Sequence, residues 1–296
     1  MRHAFLIIAH NNWDLLMRLV KKLDSSNNDI FIHIDKKSDI SNEIMDEIRC
    51  SCNISKVEFI ERYNVNWGGY SQINSTLRLF ERARKGAFDY YHILSGIDFP
   101  IKPMKEIDKF FEQNKGYEFV HFCTDEFTKA NSDRYAQYHW LQEKVGRNQK
   151  GILYYLEKVS VKIQKNVFQI NRAKKYKDVD FKCGSNWCSL SHEFVNYLLE
   201  NENKIKKMFS HSCCCDEFYI QTMLYNSRFK NRIYKWNDKN NLDIDNLRAI
   251  DWERGNPYTF QEDDYEELVK SNNLFCRKVS DQEQKYEKLI QKLEKL

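Results

Sequence analysis

The first 123 residues switch repeatedly between unbroken apolar runs and stretches of helical periodicity. Residues 4–9 form a continuous apolar run, the pattern of a strand buried on both faces. Asn11 or Asn12 can then cap a helix whose Trp13, Leu16, Leu19, Val20 and Leu23 fall at helical spacing. The same reading predicts strands at 30–34, 57–60, 88–94 and 117–122, and helices at 41–48, 71–84 and 104–113. Strand–helix units of this length imply crossover connections and a mainly parallel twisted sheet flanked by helices, an α/β fold. In such sheets ligands sit beyond the carboxyl ends of the strands. Asp35, residues 62–67 and residues 96–98 all fall at those ends.

Residues 141–177 break the pattern. They carry ten lysines and arginines against two acids, Glu143 and Glu157, while Ile152, Leu153, Leu156, Val159, Ile163 and Val167 give the stretch an apolar side. A basic amphipathic helix fits an anionic membrane surface, and it equally fits a solvated helical face. Residues 282–296 read as a last charged helix, with Tyr286, Leu289, Ile290 and Leu293 on one side.

Composition narrows the classes. The 296 residues are 42% hydrophobic and 30% charged, ordinary for one large globular domain or two small ones. No apolar run is long enough to cross a membrane as a helix, and 4–9 is too short for a signal peptide. Nine cysteines, an odd number, argue against a disulfide framework and point to a reducing cytoplasm. Cys50-Ser51-Cys52 and Cys213-Cys214-Cys215 lack the spacing of structural zinc sites, so they read as inert thiols. A net charge of +4 is mild for a nucleic-acid binder. The 17 Tyr, 19 Phe and 6 Trp serve a core as well as a sugar-stacking site.

Phosphate-binding glycine motifs and a nucleophile elbow are absent, so dinucleotide, P-loop and hydrolase readings lack support. Ser191-His192-Glu193 reads as a helix start, since adjacent helical residues point apart. Asp178-Val179-Asp180 and Asp243-Ile244-Asp245 are short strings of the kind that hold Mg²⁺ or Mn²⁺, and they leave a metal-dependent transferase open. Asp216-Glu217 opens a predicted helix over 218–225, where an acidic pair complements the helix dipole.

Several separated blocks together carry a resemblance. They are Ile7-Ile8-Ala9-His10-Asn11-Asn12, Phe31-Ile32-His33-Ile34-Asp35-Lys36-Lys37-Ser38 and Val65-Asn66-Trp67-Gly68-Gly69-Tyr70-Ser71. The run from Tyr90 through Ser95-Gly96-Ile97-Asp98-Phe99-Pro100 to Lys102 is the most distinctive. Gly184-Ser185-Asn186-Trp187, Asp216-Glu217, Leu247-Arg248-Ala249-Ile250-Asp251-Trp252 and Leu274-Phe275-Cys276-Arg277-Lys278 follow in order. The chain resembles the core-2/I-branching β-1,6-N-acetylglucosaminyltransferases and peptide O-xylosyltransferases, glycosyltransferase family 14. It looks like a bacterial, cytosol-facing member, with Cys215 where the family commonly has proline.

The resemblance implies a single GT-A-like catalytic domain over 1–296, with a nucleotide-binding α/β half (1–123) and an acceptor-binding, catalytic half (124–296). It implies inverting transfer of a sugar, N-acetylglucosamine first and xylose as the alternative, from a UDP-sugar to a glycan or lipid-linked acceptor, with no metal or other cofactor. By carry-over, Glu217 is the general base and His10, Asp35 and Trp67 lie near the nucleotide. Arg248 and Lys278 face the diphosphate, and Arg134, Asp216 and Trp187 lie on the substrate side. Asp98 is either a hydrogen-bonding partner in the site or a turn cap. Two fixed cations could stabilise the departing diphosphate in place of Mg²⁺. The expected location is cytoplasmic, peripheral at the inner face of the membrane. A basic nucleic-acid-binding module is the reading from a different class; the mild charge and the lack of a recognised nucleic-acid motif in the sequence argue against it.

Overall fold

The computed structural model describes residues 1–148, 150–235 and 246–296. Eight strands occur among them: β1 (His3–Ala9), β2 (Asn28–Ile34), β3 (Lys56–Phe59), β4 (Tyr90–Ser95), β5 (Asp98–Pro100), β6 (Ser189–Ser191), β7 (Arg248–Ile250) and β8 (Phe275–Arg277). The main sheet has the order β3-β2-β1-β4-β6. Its first four strands are parallel and β6 is antiparallel to β4. The expected α/β architecture with a mainly parallel sheet is therefore present.

Alternation along β1 explains its unbroken apolar run. Ala4 and Leu6 enter one core, and Phe5, Ile7 and Ala9 enter the other. Helices α1 (Trp13–Lys22) and α2 (Asn42–Cys50) cover the second core through Leu16, Leu19 and Ile48. Helix α3 (Tyr70–Ala83) covers the first through Leu77 and Phe80. Helix α4 (Met104–Gln113) and the last helix, Gln284–Glu294, add Ile107 and Leu289 to the second core. Arg18 ties that last helix to α1 through Glu287 at 2.6 Å and Glu294 at 2.7 Å.

Ser41 caps α2, accepting from the Ile44 N–H at 3.3 Å. Asn12 occupies the N-cap of α1 with φ 58°, and its side chain makes no capping bond. The strand expected at 117–122 is absent. Glu118 and Phe119 make only isolated bridges, to Ile233 and Ser189. The neighbour β6 has three residues and passes directly into helix His192–Glu200, so no longer ladder can form.

A second sheet has the order β5-β8-β7, with β8 antiparallel to β5 and parallel to β7. The two halves interleave across residue 123. Strand β6, from the second half, completes the first sheet, and β5, from the first half, pairs with β8. The string Asp243-Ile244-Asp245 lies outside the described residues. Asp178 and Asp180 are exposed, and the Asp180 backbone is bonded to Asn226 on both sides.

Candidate active site

The site is built where β1, β2 and β4 end. Asp35, directly after β2, fixes the loop that follows β3. Its Oδ1 accepts from the Lys37 N–H at 3.0 Å and the Val65 N–H at 3.3 Å. Lys37 Nζ donates to the Val65 carbonyl at 2.6 Å and to Asn66 Oδ1 at 2.9 Å. Held this way, the loop presents Trp67, whose side chain is 38% exposed.

The glycines after Trp67 make room for a distant segment. Gly68 has φ +73°, and a Cβ there would meet Gln142 Nε2 at 2.6 Å. A Cβ on Gly69 would meet the Glu143 carboxylate at 2.5 Å. Glu143 accepts from the Ser71 N–H at 2.8 Å and the Ser71 hydroxyl at 2.9 Å, an anion at the N-terminus of α3. Gln142 Nε2 donates to the Trp67 carbonyl at 3.0 Å. The start of the basic stretch is thus part of the site.

The Asp216-Glu217 pair lies in a 3-10 turn, Cys215–Glu217, ahead of helix Tyr219–Tyr225. Asp216 is buried and accepts from Gln72 Nε2 and Asn186 Nδ2, both at 3.2 Å. Burial, and then the neighbouring Glu217 charge, push the Asp216 carboxyl up to about 7. Glu217 is half-exposed. Arg134 NH1 donates to its Oε2 at 2.8 Å. The Glu217 carbonyl accepts from the Gly184 N–H at 2.8 Å. A side chain on Gly184 would collide with the His121 carbonyl oxygen at 1.9 Å, which accounts for glycine there.

The segment 184–187 connects this turn to a cluster of positive charge. The Arg277 guanidinium lies 4.3 Å from the Trp187 ring centroid, and its NH1 is 2.7 Å from Asp98 Oδ1. Asp98 is fully buried and also accepts from the Ser95 N–H and hydroxyl, each at 2.8 Å. It therefore caps its turn and orients Arg277, without reaching the cleft itself. Burial, then Arg277 and Arg147, hold the Lys278 ammonium below its usual range. His10, just after β1, is held below its usual range by partial burial and then by Arg147, against the pull of Asp35. Arg147 and Arg277 thus act on both His10 and Lys278. Among the described residues, neither Arg147 nor Lys278 has a carboxylate partner within 4 Å.

Arg248 does not join them. It is 4% exposed. It donates to the Cys188 carbonyl at 2.8 Å, to the Ile93 carbonyl at 3.3 Å and to Ser189 Oγ at 2.8 Å. Behind it a buried polar chain continues, with Ser189 Oγ 2.8 Å from His92 Nδ1 and His92 Nε2 2.9 Å from His3 Nδ1. Its NH1 and NH2 groups are spent on core carbonyls and on Ser189 Oγ while its buried Nε has no partner, so the geometry does not aim Arg248 at the cleft as the diphosphate role would need. Arg277 is the cation that geometry puts beside Lys278. Strand β8 is too short to reveal by alternation which of its residues faces the cleft. Arg147 and Glu143 were hidden in a run that reads as a solvated or membrane-facing helix.

No group of three or more His, Cys, Asp or Glu among the described residues could hold a metal ion. What the arrangement offers is a half-exposed carboxylate at one end of segment 184–187 and a pool of positive charge at the other.

The family model of the core-2/I-branching enzyme matches residues 3–272. The chain belongs to that family. It is 23% identical over 280 residues to "Xylosyltransferase oxt" of Drosophila pseudoobscura pseudoobscura, covering 88% of this chain and 29% of that protein. It is 21% identical over 295 residues to "Xylosyltransferase 2" of Homo sapiens, covering 94% of this chain and 32% of that one. The chain thus spans about a third of the length of these curated relatives. Mouse xyloside xylosyltransferase 1, in its apo form, aligns over 93% of this chain and 96% of its own at 10% identity, with a TM-score of 0.40. Likeness of that degree decides nothing further. The family is one of glycosyltransferases.

Proposed function

We propose that the protein moves a sugar from a UDP-sugar to a hydroxyl of a glycan acceptor with inversion at the anomeric carbon. Inversion in one displacement needs a base on the side opposite the leaving group. Glu217 takes the proton from the acceptor hydroxyl as its oxygen attacks. Arg134 holds the Glu217 carboxylate by Oε2, leaving the acceptor hydroxyl to be met by Oε1. The bond from the anomeric carbon to the diphosphate oxygen breaks, and its electron pair leaves with UDP. Arg277, Lys278 and Arg147 stabilise that charge where a divalent ion does so in other transferases.

The observation that supports this reading is the positive charge of Arg147 and Arg277 acting on both His10 and Lys278, with neither Arg147 nor Lys278 paired to a carboxylate among the described residues. N-acetylglucosamine is the donor sugar the resemblance placed first. The names of the relatives favour xylose instead.

The test is calorimetric titration with UDP, and UDP release from UDP-xylose and UDP-N-acetylglucosamine in the presence of glycan acceptors, with and without EDTA. Glu217→Gln should bind UDP with unchanged affinity while turnover falls about a hundredfold or more. Near-normal turnover in that variant, or turnover lost in EDTA and restored by Mn²⁺, would remove the mechanism.

A further inference from the structure

Helix Ile152–Asn166 is mounted with its polar side inward. Glu157 and Gln164, seven residues apart, are its buried side chains. Gln164 pairs with Tyr138 on both sides, accepting from its N–H and donating to its carbonyl, each at 2.8 Å. Glu157 accepts from the Leu141 N–H at 3.1 Å and lies 3.6 Å from His139 Nδ1. These polar bonds clamp the helix to segment 138–141.

The opposite side is apolar and bare. Ile152 is 76% exposed and Val159 55%, and Tyr155, Leu156 and Ile163 lie exposed along the same stripe. Just past the helix end, Val167 and Phe168 are each 68% exposed. A surface helix ordinarily buries its apolar stripe and wets its polar one, so this orientation is the reverse of what folding alone would choose. A contiguous exposed stripe of this kind marks an interaction surface.

Charge identifies the occupant. Lys158 and Lys162 flank the stripe on the helix, Lys150 comes two residues before it, and Lys174 and Lys175 follow in the 3-10 turn Arg172–Lys175. Among the described residues, none of these five has a carboxylate within 4 Å, whereas Lys165 is paired with Asp133 at 2.7 Å. Two copies meeting through this face would bring like charges together across a two-fold axis. An anionic lipid surface accepts the apolar stripe in its acyl boundary and the lysines at its headgroups.

We propose that helix Ile152–Asn166 is an interfacial helix that docks the protein on anionic membranes. Gln142, Glu143 and Arg147, just upstream, reach the cleft, so docking brings the cleft to an acceptor carried on lipid. That corollary rests on the transferase reading; the docking does not.

The test is co-sedimentation of the intact protein with vesicles of phosphatidylcholine alone and of phosphatidylcholine mixed with phosphatidylglycerol, at low and high salt. Binding is expected to the anionic vesicles at low salt and to weaken as salt rises. Leu156→Glu with Val159→Glu should reduce partitioning at least about tenfold. Lys158→Ala with Lys162→Ala should reduce it about thirtyfold and flatten the salt dependence. The lysine pair is exposed, so it checks the proposal should the apolar pair fold poorly. Calorimetric affinity for UDP reports separately on the cleft and should stay unchanged in both variants. No binding at low salt, equal binding to neutral vesicles, or variants that bind like the parent would overturn the proposal. So would a concentration-dependent dimer that the Leu156 and Val159 changes dissolve, which would assign the stripe to a second copy.

Discussion

The guanidinium carbon of Arg277 sits 4.3 Å from the centroid of the Trp187 ring. The ring and Asp98 together fix the guanidinium, because Asp98 is buried, held by the Ser95 N–H and hydroxyl, and accepts from Arg277 NH1 at 2.7 Å. Arg277→Lys keeps the charge and loses both the planar stacking and the fork geometry. Affinity for UDP is expected to fall about tenfold or more in this variant. Asp98→Asn should weaken UDP binding through the same arginine. Titration calorimetry with UDP checks both, and unchanged affinity in Arg277→Lys would take Arg277 out of the donor site.

Arg248 should behave oppositely. Its removal takes a donor from the Ile93 carbonyl, while the Cys188 carbonyl keeps the Ile93 N–H at 2.9 Å. Arg248→Met is expected to cost about 1–3 kcal/mol of stability, the cost of leaving the buried Ile93 carbonyl short of a donor. Its UDP affinity should match that of the parent at temperatures where the variant is folded. Urea unfolding and titration of the same preparation distinguish this from a direct role at the diphosphate.

The contrast between these two arginines shows what the sequence could and could not reveal. Strand β1, strand β2 and the turn at 95–98 were legible because each is set by local pattern: an unbroken apolar run, or a side chain that serves its own backbone. Glu217 was singled out only through the resemblance, since an acidic pair at a helix start has a purely local explanation. Arg248 and Arg277 are both basic residues on three-residue strands, and only the third dimension tells which one the core consumes. Arg147 and Glu143 reach the site from more than 70 residues beyond the loop they meet, so no window of sequence could join them to it. The missing strand at 117–122 had the right composition and lacked a neighbour long enough to pair with.

Gly184 is a close-approach position. The His121 carbonyl oxygen stands 1.9 Å from where a Cβ would be, and backbone cannot yield as a flexible side-chain end can. Gly184→Ala should therefore cost about 3 kcal/mol or more and loosen the Glu217 turn that Gly184 binds. A variant with parental stability and turnover would show that the segment has freedom the geometry denies it.

Asp216 links stability to pH. Its carboxyl is raised from 3.8 to about 7 in the folded protein, mainly by burial and next by Glu217. Across that interval the folded state keeps a proton that the unfolded chain has released. The unfolded state thus binds fewer protons, and stability falls as pH rises from about 4 to about 7. Glu118, also buried and raised to about 7, acts in the same direction. His33, lowered to about 4 chiefly by burial, acts in the opposite one, since the unfolded chain binds its proton below 6.5. The absolute pH profile therefore mixes opposing groups, and the comparison with Asp216→Asn isolates one of them. Asparagine carries no such proton and still offers an oxygen to Gln72 and Asn186. The stability of the parent relative to Asp216→Asn should decline between about pH 4 and pH 7 and be flat on either side. Urea midpoints for the two proteins at several pH values measure this. A difference that stays constant through the window would mean that Asp216 is charged in the folded protein, with its negative charge stabilised beside Glu217 by more than Gln72 and Asn186 supply.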